Sequence, residues 1–344
     1  MTAPRSNQND RSRTTPRPTM RDVAQLAGEV HPSTVSLALR NSPRVSPKVR
    51  EKIQAIARRI GYRRDPLLDA FNQHRLKIVP QRAARHIAAI SDFSSMAELM
   101  ASPAHAAARG GAIEAAARLH CQLDFFFCGN GQPNSRRLDG VLEARGLRAM
   151  LIFGVKADAT ALDFRWSRTC SVAVDSTQLT LPFYRVTPDF REATRLLWRR
   201  AWTQGGQRIA ILRSNSTHPA TEDRAVAGFL LEQLRHPSAT PIPVFTLVPG
   251  RVGIKSFTAW LHKHRPQTIL HSSALTGSLS ALLEGEAVRC VAFDALSPDQ
   301  PGICPDYAEV GQRAVEQLVT LMQTNQLGLP PAGVCTYVPV NFPS

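Results

Sequence analysis

In the first quarter of the chain apolar residues recur at helical spacing in three short runs. Val23, Ala24, Leu26 and Ala27 make a small apolar face. Thr19-Met20-Arg21-Asp22 ahead of it has the form of a capping box, with the acidic residue three after the cap, and Gly28 is placed to end the helix. After a tight turn, residues 33–40 (S-T-V-S-L-A-L-R) predict a second short helix. A third opens at Ser46 as cap with Pro47 in the first position; Val49, Ile53, Ile56 and Ile60 keep helical spacing, and Gly61 closes it. Val23, Leu26, Val35 and Leu39 are assigned to the core of this small unit. Residues 1–18 offer almost nothing to bury and read as a disordered basic arm, 19–63 as a three-helix headpiece, and 64–85 as a hinge or linker.

Beyond residue 85 short apolar runs alternate with helical stretches. Strands are expected at 86–90, 122–127, 149–153 and 171–174, then after a break at 208–212, 242–247, 268–270, 289–293 and 336–340. Helices between them include 104–119, 190–204, 222–234, 255–264 and 307–324. This alternation predicts parallel, doubly wound sheets. Two sets imply two subdomains, about 86–182 with 306–325 and about 183–305 with 326–344, and a ligand cleft between them. Ligands in such folds sit at the carboxyl ends of strands, where the strand order reverses. Those ends are Ser91-Asp92-Phe93, Gly129-Asn130, Gly154, Asp175, Arg213-Ser214-Asn215, His271-Ser272-Ser273 and Asp294.

Composition narrows the function. The 344 residues are 43% hydrophobic, enough for substantial cores, yet hold no run of 18 apolar residues. No apolar segment opens the chain, so a cytoplasmic protein without a membrane partner is expected. The six cysteines are scattered and read as free thiols. The formal charge of +15 is unevenly spread: residues 1–85 carry 18 Lys+Arg against 6 Asp+Glu, and the remainder 24 against 21. A local excess of +12 favours a polyanion, either nucleic acid or an anionic membrane; the plain alternative is a solubilising tail.

The helix pattern points to nucleic acid. A short helix with small polar residues at its leading end can enter the major groove and reach base edges. Pro32, Ser33, Thr34 and Ser36 lie there, and Arg17, Arg21, Arg40, Arg44, Lys48 and Arg50 surround them with cations suited to phosphates. The stretch T-M-R-D-V-A-Q-L-A-G…P-S-T-V-S-L-A-L-R-N-S-P-R-V-S-P-K-V-R-E-K-I…G-Y-R-R-D-P-L resembles the headpiece of the lactose-repressor (LacI/GalR) family of bacterial transcription regulators over about 50 contiguous residues. The resemblance implies that Pro32, Ser33 and Thr34 lie on the recognition helix and that Ser36, Arg44, Ser46 and Tyr62 position the DNA backbone. Helix capping alone also accounts for Ser46. The full set expected at DNA is Thr19, Met20, His31, Pro32, Ser33, Thr34, Ser36, Leu37, Arg40, Arg44, Ser46, Tyr62, Leu68 and Phe71.

Three departures from the family pattern stand out. Glu29, Val30 and His31 make the segment between Gly28 and Pro32 one residue longer than usual, so the turn must bulge. Leu37 stands where the family commonly has Arg, and Arg40 replaces the usual Asn. The segment 64–85 corresponds to the family's hinge, which folds on DNA and wedges an apolar side chain into the minor groove; Phe71 falls at that position, with Leu68 nearby. An ordinary linker helix docking Leu68 and Phe71 on the next domain is the alternative.

The larger half resembles the family's regulatory domain, which shares the fold of periplasmic sugar-binding proteins. Its blocks are W-x-x-G-G-Q-R-I-A-I-L from Trp202, E-D-R-A-V-A-G-F, V-A-F-D at 291–294 and Y-A-E-V-G-Q-R-A-V-E-Q-L. The expected fold is therefore a small all-α helix-turn-helix headpiece plus an α/β periplasmic-binding-protein-like regulatory domain of two doubly wound subdomains. Asp92, Phe93, Arg224 and Asp294 are the effector candidates, since a guanidinium fork and a carboxylate can fix neighbouring hydroxyls of a sugar-like molecule. Arg224 stands one residue earlier than the family's effector arginine, about 100° of helix away. A surface ion pair for Arg224 and a loop-capping role for Asp294 are the alternatives. No metal site, cofactor motif or catalytic constellation is expected. These features together imply a homodimeric repressor of a pseudo-palindromic operator, modulated by a small effector. A cytoplasmic small-molecule-binding protein with a degenerate headpiece and an enzyme of sugar-binding-like fold stay open as alternatives.

Overall fold

The computed structural model describes residues 18–39, 42, 44–62, 85–155, 162–175, 179–214, 219–248 and 250–342. The arm at 1–17, the hinge positions Leu68 and Phe71, and Arg40 lie outside the described residues. The chain falls into two compact units, 1–80 and 81–344, each treated separately below.

The first unit is built from α1 (Met20–Leu26), α2 (Pro32–Leu39) and α3 (Pro47–Arg59). The capping box forms as expected. The Asp22 carboxylate accepts from the Thr19 amide at 2.6 Å, and Thr19 Oγ1 accepts from the Asp22 amide at 3.4 Å. Those bonds to Thr19 hold the Asp22 carboxyl below its ordinary value. The core comprises Val23, Ala24, Ala27, Val35, Ala38, Val45, Ile53, Ile56 and Ala57, with Leu39 partly buried against it. Leu26, assigned to this core from sequence, is 49% exposed. Val23 and Ala27, four apart, define the inward stripe, and Leu26 stands 100° off it. Val49 likewise faces outward on α3.

The second unit holds two parallel sheets. The first has the order β10-β5-β4-β3-β1-β2, formed by β1 (Arg85–Ser91), β2 (Cys121–Phe127), β3 (Ala149–Phe153), β4 (Cys170–Val174), β5 (Tyr184–Pro188) and β10 (Val334–Val338). The second has the order β7-β6-β8-β9, from β6 (Ile209–Ser214), β7 (Phe245–Leu247), β8 (Thr268–His271) and β9 (Arg289–Ala292). Strand order reverses between β1 and β3 in one sheet and between β6 and β8 in the other. The helices, in chain order, are α4 (Met96–Met100), α5 (Pro103–Arg118), α6 (Ser135–Ala144), α7 (Phe190–Thr203), α8 (Pro219–Arg235), α9 (Arg251–His264), α10 (Thr276–Leu282) and α11 (Tyr307–Gln323). None of the helices among the described residues is long and apolar enough to cross a membrane.

Each sheet is sandwiched. Residues of α5 and α11 share a core with one face of the first sheet, and Leu138 and Leu142 of α6 pack on the other. The second sheet lies between α7 and α8 on one side and α9 and α10 on the other. The close approach of α5 and α11 depends on glycine at both crossing points. A Cβ on Gly111 would lie 1.9 Å from the Ala308 carbonyl oxygen, and one on Gly311 would lie 1.9 Å from that of Ala108. The tie between α7 and α8 is electrostatic. The fully buried Glu232 carboxylate accepts from Arg195 Nε at 2.8 Å and from Arg199 Nε and Nη2 at 2.9 and 2.8 Å.

The expected division of this unit is corrected by strand pairing. The sequence pattern places residues 183–188 and 326–338 in the second subdomain. In the structure β5 pairs with β4, and β10 pairs with β5, so both belong to the first sheet. Leu329 packs in the same subdomain, and only the tail with Val340 and Phe342 joins the second core. The chain thus passes between subdomains three times: after β5, before α11 and after β10.

Candidate DNA interface and effector cleft

In the headpiece the extra turn residue is absorbed before α2 begins. Gly28 and Glu29 both adopt positive φ, 100° and 56°, a left-handed pair that glycine accepts freely and glutamate at some cost. Pro32 then occupies the first helical position, and Val35 and Ala38 remain buried. His31 takes the cap position, its Nδ1 accepting from the Ser33 amide at 3.2 Å and lying 2.7 Å from Ser33 Oγ. Both residues are exposed. Thr34 bonds back to the His31 carbonyl at 2.8 Å, and Thr34, Ser36 and Leu37 are partly exposed. At the far end of α2 the Gln54 amide caps the Ala38 carbonyl at 3.1 Å.

Around this helix Thr19, Arg21, Arg44, Ser46 and Lys48 are exposed, and Met20 and Tyr62 partly so. Ser46 holds the cap position of α3, but its hydroxyl makes no cap hydrogen bond, so capping does not account for the side chain. Arg50, counted from sequence among the phosphate cations, instead turns inward and donates from Nη2 to the Val45 carbonyl at 2.9 Å.

In the larger unit the carboxyl ends of the strands gather charge from both subdomains. Asp175 follows β4 with a positive φ of 41° and accepts from Thr187 Oγ1 of β5 at 2.7 Å. Asp294 follows β9 and accepts from Ser272 Oγ at 2.8 Å and from the Ser273 amide at 2.5 Å. Burial pushes the Asp175 carboxyl up to about 7. The Thr187 hydroxyl opposes that rise, Asp294 adds to it, and Arg224 and Arg185 oppose it. Burial also raises Asp294 despite its hydrogen bonds, and raises the Tyr307 phenol, which faces both carboxylates. Arg224, on α8, sits 5.4 Å over the Tyr337 ring of β10, and its Nη1 is buried with no hydrogen-bond partner among the described residues. Arg185 donates from Nη2 to the Leu179 carbonyl at 2.9 Å, and burial lowers its pKa.

Of the four effector candidates, the structure brings Arg224 and Asp294 together with Asp175. Asp92 and Phe93 lie on the same edge of the first sheet, two strands from β4, with Phe93 packed edge-to-face on His105 at 5.6 Å. Gly129 closes on them so tightly that a Cβ there would stand 2.0 Å from the Asp92 carbonyl oxygen. Asp175, recognised from sequence as a strand end and not as a ligand candidate, is the central acid. No sequence motif singles out Arg185, Tyr307 or Tyr337 for the cleft. The nearest signal for Tyr307 was its place at the start of a helix already identified. Among the described residues no group of His, Cys, Asp and Glu could hold a metal ion. The cleft offers hydrogen-bonding groups of both charges on a desolvated surface, an arrangement suited to a polar, hydroxyl-bearing molecule.

Comparison with known proteins agrees with this geometry. Residues 19–65 match the family model described as bacterial regulatory proteins, lacI family. Among solved structures, the chain is similar to the transcriptional regulator CelR in complex with cellobiose (TM-score 0.56, 19% identity, 95% of this chain and 99% of that one). It is also similar to the lac repressor dimer bound to operator and an anti-inducer (TM-score 0.52, 19% identity, 95% and 97%). A third likeness is to the transcription regulator CcpA of Lactococcus lactis (TM-score 0.54, 14% identity, 76% and 98%). No curated protein matches the chain in sequence. The lacI-family model is thus seated on the helix-turn-helix unit at residues 19–65, and the fold of these solved regulators extends over the rest of the chain.

Proposed function

We propose that the protein is a sequence-specific transcriptional repressor that binds a pseudo-palindromic operator as a homodimer and is modulated by a small, sugar-like effector. The observation that carries this reading is the match over 19–65 on a headpiece whose recognition helix keeps its buried stripe and exposes His31 and Ser33. The lac repressor dimer bound to operator and the CelR–cellobiose complex are examples of such partners in proteins of this fold. Two-fold symmetry of the protein calls for two half-sites. Thr34 and Ser33 contact bases, and Arg44, Ser46 and Tyr62 contact the DNA backbone. Phe71, with Leu68, supplies the minor-groove wedge.

In the cleft, Asp175 and Arg185 come from the first subdomain, and Arg224 and Asp294 from the second. A ligand that bonds to both sides favours one arrangement of the subdomains over another. That differential affinity is the source of regulation. The protein works in the cytoplasm, by binding and without turnover.

The degenerate-headpiece reading is disfavoured, because the added residue is taken up by the Gly28-Glu29 turn and the α2 packing is preserved. The test is a mobility-shift assay on genomic fragments at moderate salt, with the full chain and with residues 1–62 deleted. Selective retention of a few fragments by the full chain alone is expected. Uniform binding to all fragments would refute specific regulation.

A further inference from the structure

His31 and Ser33 raise a question of hydrogen-bond polarity. The Ser33 backbone amide lies 3.2 Å from His31 Nδ1 and can only donate. Nδ1 therefore accepts, and the ring proton of the neutral imidazole resides on Nε2. Ser33 Oγ lies 2.7 Å from the same unprotonated nitrogen, so its hydroxyl hydrogen is committed to that ring as well. Two consequences follow at the exposed leading end of α2. The outward edge of His31 carries a donor, Nε2–H. The Ser33 oxygen, its hydrogen spent, keeps only lone pairs to offer. Among the described residues no charged side chain forms an ion pair with His31, so Ser33 alone sets this polarity.

We infer that His31 and Ser33 act as one specificity-determining unit with fixed polarity, His31 reading a base that presents a major-groove acceptor and Ser33 reading a base that presents an amino group. Guanine N7 and O6 and thymine O4 meet the first requirement; adenine N6 and cytosine N4 meet the second. A free serine hydroxyl would accept or donate and so discriminate poorly. The histidine converts it into an acceptor. This inference rests on the reading of α2 as the helix that enters the major groove.

The experiment is selection of duplexes from a random pool by the full chain, followed by sequencing, for wild type, His31→Asp, His31→Ala and Ser33→Ala, with circular dichroism melts to confirm folding. Aspartate is a good helix cap whose carboxylate can still accept from Ser33, but it has no donor to present outward. Wild type is expected to select, in each half-site, one guanine-or-thymine position and one adenine-or-cytosine position, each by roughly five- to tenfold. His31→Asp loses the first preference and keeps the second. Ser33→Ala loses only the second. His31→Ala loses both, because the freed Ser33 hydroxyl regains its donor. A first preference that persists in His31→Asp, or a second that stays sharp in His31→Ala, would overturn the fixed-polarity pair. A consensus unchanged in all three variants overturns this inference alone, whereas a wild-type pool with no consensus overturns the regulator reading along with it.

Discussion

Replacing Asp175 with asparagine isolates the cost of holding a carboxylate in the cleft. The carboxyl is pushed from an ordinary 3.8 to about 7, chiefly by burial. Between those two values the folded protein holds a proton that the unfolded chain has released. Folding stability therefore falls as pH rises through that window and levels off above it. A shift of about three units corresponds to about 4 kcal/mol at most, since each unit is worth about 1.4 kcal/mol and local relaxation recovers part of it. Asparagine mimics the protonated form and can still accept from the Thr187 hydroxyl. All four tryptophans, Trp166, Trp198, Trp202 and Trp260, lie in the larger unit, so their fluorescence reports its unfolding. Urea titrations of both proteins between pH 4 and pH 8.5 provide the measurement. The two are expected to be nearly equal in stability at the acid end, with Asp175→Asn the more stable by up to about 4 kcal/mol above pH 7.5. Parallel pH profiles, or a variant less stable than wild type at pH 8, would refute the reasoning.

Other expectations are as direct. Gly111→Ala is expected to lower stability by roughly 2–3 kcal/mol or more, because the added methyl meets the Ala308 carbonyl; an unchanged melting temperature would contradict the close packing of α5 and α11. Glu232→Ala strands Arg195 and Arg199 beside an emptied buried site and is expected to cost about 3–5 kcal/mol in the same tryptophan assay. On DNA, Arg44→Ala is expected to flatten the log–log salt dependence by about 0.9 for one lost phosphate contact. Thr34→Ala is expected to weaken operator binding and spare non-specific affinity, and equal losses on both DNAs would rule out base readout.

The headpiece is legible in sequence because its determinants are local. Thr19 and Asp22 are three residues apart and cap each other, and Pro47 follows the Ser46 cap position. The misplacement of Leu26 reflects a one-residue error in helix phase, where a larger side chain drew the assignment away from the smaller, buried Ala27. The strand β5 was missed for a different reason. It is five residues long, begins two residues after Pro182 and ends on Pro188, and is completed by β10, a partner far along the chain. Two prolines, Pro241 and Pro243, likewise shorten β7 from the expected 242–247 to its last three residues. The cleft was half visible. Strand ends supplied Asp294 and Asp175 as positions, but which acid becomes the costly one depends on burial and on residues from β5, α8 and α11 that only the tertiary fold assembles. Arg50 shows the same limit in the headpiece, since a carbonyl five residues back turns an apparent phosphate cation into a structural donor.

The three passages of the chain between subdomains bear on how the protein is made. The second subdomain is nearly contiguous, from α7 to the residues before α11. The first needs α11 for its core and β10 for its edge, and these come more than a hundred residues after β5. On a ribosome adding about 5–20 residues per second, the interval from residue 188 to residue 334 is roughly 7–30 s. During that time the earlier-synthesised sheet waits with one apolar face covered by α5 alone, while its later neighbour is free to close. Folding therefore runs against the order of synthesis, and the waiting face is the part of the nascent chain with most need of a chaperone.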